Sequence, residues 1–103
     1  MKSIATEYDT ICFFCGGPRE CEHHLIFGNG RRQLSDDDGL IIYSCHKHHN
    51  MGKTLERIHD NPSAEKLSKM LGQAIWERNY VADGHTLEEA SAAFFNRYKI
   101  NYL

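Results

Sequence analysis

Two stretches of this chain hold residue types that do chemistry near neutral pH. "ECEHHLIFGNGRR" (residues 20–32) sets His23 and His24 side by side before an apolar pair, and "SCHKHHN" (residues 44–50) repeats the doublet as His48 and His49. Upstream, "CFFCGGP" carries a C-x2-C pair, Cys12 and Cys15, closed by Gly16, Gly17 and Pro18 into a tight knuckle. Cys45 and His48 make a matching C-x2-H pair. Zinc takes four soft nitrogen or sulfur ligands in a tetrahedron, and this spacing lets both members of a pair reach one ion from a turn. Cys12, Cys15, Cys45 and His48 are therefore expected to hold a structural zinc, with Cys21 and His46 as substitutes for one ligand.

The first doublet asks for a different explanation. Adjacent residues on a strand point to opposite faces, so one histidine is free to bind a metal while the other faces substrate. That division suits hydrolysis: a cation polarises a phosphoryl oxygen, and a neutral imidazole takes the proton from attacking water. Histidine suits the second task because its ordinary pKa lies near neutrality. His49, one residue past the zinc pair, is placed to enter a second site at the head of the following helix.

The elements that must position these groups follow from the local pattern. "CEHHLIF" reads as a short strand, followed by a loop rich in Gly, Asn and Arg. "GLIIYSC" (residues 39–45) is the strongest strand, after an acidic run, Asp36 to Asp38, read as a turn in solvent. From His46 a helix or broken helix is expected to run towards His59, weakened by Gly52. Further on, Ser63 is the expected N-cap after Pro62, and Leu67, Met70, Leu71, Ala74 and Ile75 mark one buried helical face. Thr86 and Glu89 fit a capping box, and Ala90, Ala93, Phe94 and Tyr98 form the stripe of a last helix. The tail "KINYL" is a short strand or a packed end. Both helices read as scaffold without chemistry, Trp76 as core, His85 as surface, and Phe13 and Phe14 as packing around the knuckle.

Composition bounds these readings. A chain of 103 residues is one domain with a modest core, which a structural metal would staple. The expected architecture is α+β: a single domain over residues 1–103, with a zinc-stapled core at 12–61 and a helical scaffold at 62–103. No apolar run approaches a membrane span, and "MKSIATEYDT" lacks the apolar segment of a signal peptide. The expectation is a cytoplasmic, reducing setting without membrane contact, where cysteines bind metal rather than pair as disulfides. A net charge of −2 does not advertise a nucleic-acid binder. Yet Arg31, Arg32, Lys47, Lys53 and Arg57 flank the histidine stretches, and local fields outweigh so small a net value. Arg31, Arg32, Lys47 and Lys53 are the expected contacts to a phosphate backbone.

Taken together, C-x2-C … EHHLIFG … GLIIYSC-x2-HHN … IHDN resembles the HNH, or ββα-metal, endonuclease superfamily. It is most similar to a small phage-encoded branch that includes recombination-enhancement nucleases. The likeness covers roughly residues 12–80 and is most specific over 12–59. It implies two antiparallel strands and a helix around one catalytic divalent metal (magnesium, manganese or zinc), with a structural Zn2+ nearby. By position it implies His24 as general base and His23, His49 and His59 as ligands of the catalytic metal. It implies DNA as substrate, single- or double-stranded, in recombination or processing inside a bacterial host, alongside a recombinase or another DNA-processing protein. The alternative is a non-catalytic zinc module binding nucleic acid or a recombination or replication protein. One position departs from the family: Asp38-Gly39-Leu40 stands where its middle asparagine precedes a leucine. Asn29, Asn50 and Asn61 are the candidates for that asparagine's task of holding the loop.

Overall fold

A computed structural model describes residues 3–103. The chain is α+β: a two-stranded antiparallel sheet of β1 (Cys21–His24) and β2 (Ile41–Ser44), α1 (Arg31–Asp37) between them, and two long helices after them. These are α2 (Pro62–Ala82) and α3 (Leu87–Tyr98). The register pairs His23 with Ile42 and His24 with Ile41, so the doublet ends its strand beside the start of its partner. Ahead of β1, an isolated bridge between Ile11 and Pro18 closes the cysteine knuckle, and Gly16 takes the left-handed conformation that its turn requires. The Phe13 amide donates to the Tyr43 carbonyl at 2.8 Å, fastening the knuckle to β2.

Both halves of the chain build one core. Leu25, Ile26, Leu40 and Ile42 meet Phe94, Tyr98 and Tyr102, with Phe94 stacked on Tyr98 at 4.6 Å between ring centres. The tail therefore packs and forms no strand; Tyr102 is part of the core. The Thr86–Glu89 capping box is present in both directions, and Ala90, Phe94 and Tyr98 are the buried stripe of α3. Among the described residues no helix is long and apolar enough to cross a membrane.

Five local expectations are corrected. Part of the loop after the histidine doublet, with most of the acidic run, is a helix: α1 starts at a left-handed Gly30 and includes Asp36 and Asp37. Nor does Asp38 sit in a solvated loop. Its carboxylate accepts both Arg97 nitrogens at 2.7 Å, the Tyr98 hydroxyl at 2.7 Å and the Trp76 indole N–H at 3.0 Å. The segment after His46 makes a single π-helical turn, Lys47–Met51, and then leaves helical geometry. It ends at Gly52, where a Cβ would run into the Lys47 carbonyl.

The N-cap of α2 is Asn61, with Pro62 in its first turn, and not Ser63. Its buried face also differs from expectation. Met70, Ile75 and Trp76 pack against the core, but Leu67, Leu71 and Ala74 are exposed, Leu67 by 66 %. The buried positions are Ser68, Gly72, Gln73 and Glu77. This face is polar because its groups have partners. Gln73 Nε2 donates to Glu77 and Asn101, and its Oε1 accepts the Tyr102 amide at 2.6 Å. Gly72 lies hard against the end of the first strand; an added Cβ would stand 2.7 Å from Ile26 Cγ1.

Candidate metal centres

The knuckle and the end of β2 bring Cys12, Cys15, Cys45 and His48 together, with one ligand atom from each within 4.8 Å of every other. Cys45 Sγ is 3.1 Å and Cys12 Sγ 3.9 Å from His48 Nδ1, and Cys15 Sγ is 3.9 Å from Cys45 Sγ. A zinc tetrahedron with Zn–S bonds of about 2.3 Å has sulfur–sulfur edges of about 3.8 Å, so the set has the right size. The backbone is arranged for thiolate: the Phe14 amide donates to Cys12 Sγ and the Gly17 amide to Cys15 Sγ, both at 3.4 Å. Burial pushes the Cys12 thiol up, but the amides of Cys45, Cys15 and Phe14 outweigh it and bring it down to about 6. Cys15 moves up instead: the Gly17 amide lowers it, but the adjoining Cys12 and Cys45 thiols and burial prevail. These residues are compatible with a structural zinc. Cys21 lies outside the cluster, its Sγ 3.3 Å from the Ser44 carbonyl, and His46 is exposed.

A second group, His23, His49 and His59, also offers ring nitrogens within 4.8 Å of one another. Ring centres lie 5.2 Å apart for His23–His49, 5.1 Å for His23–His59 and 4.7 Å for His49–His59. The Nε2 atoms of His49 and His59 are 3.1 Å apart. The step from residue 49 to 59 is closed by backbone: the Ile58 amide donates to the His48 carbonyl and the His59 amide to that of His49, each at 3.1 Å. Arg57 locks this excursion by donating to the carbonyls of His59, Asn50 and Gly52.

The tautomer of His23 follows from its partner. Ser68 Oγ donates its one hydrogen to the Leu25 carbonyl at 2.8 Å, so it can only accept from His23 Nε2–H, also 2.8 Å away. Nδ1 then carries the lone pair. It is buried and, among the described residues, is the one such side-chain atom without a partner. An unpaired buried acceptor is costly unless something binds it. The residues therefore fit a cation: a lone pair beside two further imidazoles, with the opposite ring nitrogen held by a hydroxyl. Burial, reinforced by the other histidines, brings His23 down to about 3, and burial with His59 close by brings His49 to about 4. Burial also lowers His59, against the opposing pull of Glu65 and Asp60. All three rings are thus neutral at pH 7, as ligands must be.

His24 takes the opposite side of its strand from His23, and its Nε2 lies 2.9 Å from Asp36 Oδ1 on α1. With Glu22, Phe27, Arg32, His49 and His59 it lines a cleft of about 90 Å³. Of the basic residues expected to contact phosphate, Arg32 alone reaches this cleft. Arg31 Nε donates to the Tyr98 carbonyl, Lys47 lies 3.9 Å from Glu56, and the Lys53 amide donates to Glu56. Phe13 and Phe14 are half-exposed on the knuckle.

Three participants have no signature in the sequence. Ser68 comes from α2, which reads as pure scaffold, and Asp36 comes from a run that reads as solvated. Ser35 holds the loop between the strands: its hydroxyl accepts the Ile26 amide and donates to the Leu40 carbonyl at 2.8 Å. Of the asparagines Asn29, Asn50 and Asn61, Asn61 caps α2. Neither family models, curated proteins nor solved structures yield a match to this chain.

Proposed function

We propose that this protein is a metal-dependent endonuclease of the HNH type, hydrolysing phosphodiester bonds in DNA. The observation that carries the reading is the pairing of two sites. A Cys3His cluster accounts for structure, and the separate His23–His49–His59 group beside His24 has no need to exist in a zinc staple alone. The two-stranded sheet with the doublet at the end of β1 supports it, although a π-helical turn stands where the family implies a full helix. His23 Nδ1, His49 and His59 would hold the divalent ion. When bound, such an ion supplies a fixed positive charge against the phosphoryl group and the departing oxygen. His24 takes the proton from water entering the cleft, and Arg32 at its rim orients the phosphate. Phe27, against His23 and His59, walls one side of the cleft.

The test is plasmid nicking. Purified protein with magnesium or manganese should convert supercoiled DNA to open circle, and His24→Ala should lose at least about 100-fold in rate. Its zinc content and melting should stay unchanged. Full activity in His24→Ala would place the base elsewhere. A second reading, a non-catalytic binding module, draws support from the exposed apolar strip of Phe13, Phe14, Leu67 and Leu71 around a groove between knuckle and α2. No nicking by zinc-loaded, folded wild type would favour it.

A further inference from the structure

Asp36 is the one carboxylate bonded to the proposed base among the described residues. It stands at 2.9 Å from His24 Nε2, in the last turn of α1, a helix with no clear sequence signal. Its own position is braced. Two residues on, Asp38 is clamped by Arg97, Tyr98 and Trp76, and one residue before, fully buried Ser35 is bonded to both strands' ends. The backbone that carries Asp36 is therefore fixed on both sides, while its carboxylate stays partly open to solvent and reaches the buried His24 ring.

We propose that Asp36 is a positioning residue for His24, fixing the ring's orientation and its Nε2–H tautomer so that Nδ1 presents a lone pair. The chemistry is simple. An ionised carboxylate only accepts, so the ring nitrogen facing it must carry the hydrogen. In a neutral imidazole the other nitrogen is then the base. The same logic operates wherever a carboxylate orients a catalytic imidazole, and removing the carboxylate leaves the ring in mixed tautomers. The inference rests on the nuclease reading for its catalytic consequence but not for its structural content. Asp36 also explains how the chain manages without an asparagine before Leu40: the base is held by a side chain on α1, anchored through Ser35 and Asp38.

Two measurements on the full zinc-loaded chain test it. The first is 15N NMR of the labelled histidines in wild type, Asp36→Ala and Asp36→Asn, with His24 assigned by comparison with His24→Ala. His24 is expected as the Nε2–H tautomer in wild type and as a mixture in Asp36→Ala. The second is plasmid nicking with magnesium. Asp36→Ala should lose about 10- to 100-fold in kcat with KM for DNA within about twofold, at unchanged melting temperature. The double variant Asp36→Ala/His24→Ala should be no slower than His24→Ala alone. An Nδ1–H tautomer in wild type, a tautomer indifferent to Asp36, or wild-type kcat in Asp36→Ala overturns the proposal. Absence of nicking in wild type overturns the nuclease reading instead, and the NMR spectra then decide the role of Asp36 on their own.

Discussion

Residue by residue, the candidate metal ligands are the most legible feature, because their pattern depends on short spacings. Two local pairs single out Cys12, Cys15, Cys45 and His48, and the fold brings those four together. His49 and His59 converge with His23 through backbone bonds that no spacing reveals. Ser68 and Asp36 are illegible, since each joins a histidine across a tertiary contact rather than within a turn. The neutral state of the trio has a measurable consequence. His23 takes a proton only near pH 3 and His49 near 4, against an ordinary 6.5. The unfolded chain would take those protons from about pH 6.5 downward, so acid disfavours the folded trio across that window. Down to about pH 5.5, however, the folded His23 and His49 rings stay open to a cation. Manganese affinity of the zinc-loaded protein, by titration calorimetry, should fall by no more than about tenfold between pH 7.5 and 5.5. A fall beyond about tenfold would show that the rings protonate as ordinary histidines.

Among the elements, α3 is legible because its capping box and apolar stripe agree, whereas α2 is misleading. Its periodic leucines face solvent, and its inner face is written in Ser68, Gly72, Gln73 and Glu77, residues that pattern arguments assign to the surface. Partners on β1 and the tail make that face tolerable, and they are distant in sequence. Helix α1 is hidden because a glycine-rich start and three acidic residues look like a turn. The close approach of α2 to β1 yields a sharp expectation for Gly72→Ala. In an open helix the change would stabilise by roughly 1 kcal/mol. Here the new Cβ meets Ile26 Cγ1 at 2.7 Å and Leu25 Cβ at 3.1 Å, so a net loss of about 1–3 kcal/mol is expected. Urea denaturation followed by circular dichroism measures it; an unchanged or raised midpoint would mean that the strand yields easily.

For the molecule as a whole, the α+β class follows from the strand and helix patterns, and a cluster compatible with a structural zinc from the cysteine spacing. What does not follow is the way the C-terminal helices enter the site. The sheet is only two strands of four residues each, too small to stand alone, and its fastening to the knuckle runs through Phe13 and Tyr43. Zinc removal should therefore reach far beyond the knuckle. Cys12→Ser, or wild type treated with a strong chelator, should lose cooperative thermal melting and most near-ultraviolet circular dichroism. A metal-free sample that melts as the loaded one does would count against a structural zinc.

The clamp at Asp38 bears on how such a chain can drift over generations. Trp76, Arg97 and Tyr98 all donate to this one carboxylate, which is largely shielded from solvent. Losing Asp38 alone strands the Trp76 indole and the Tyr98 hydroxyl, losing Arg97 alone strands a shielded charge, and replacing acid and base together still leaves the two aromatic donors unpaired. Single and paired steps away from the present arrangement are thus both costly. Positions 38, 76, 97 and 98 should stay fixed together across descendants, and a lineage that has lost the acid should be found to have lost the aromatic donors as well as the arginine.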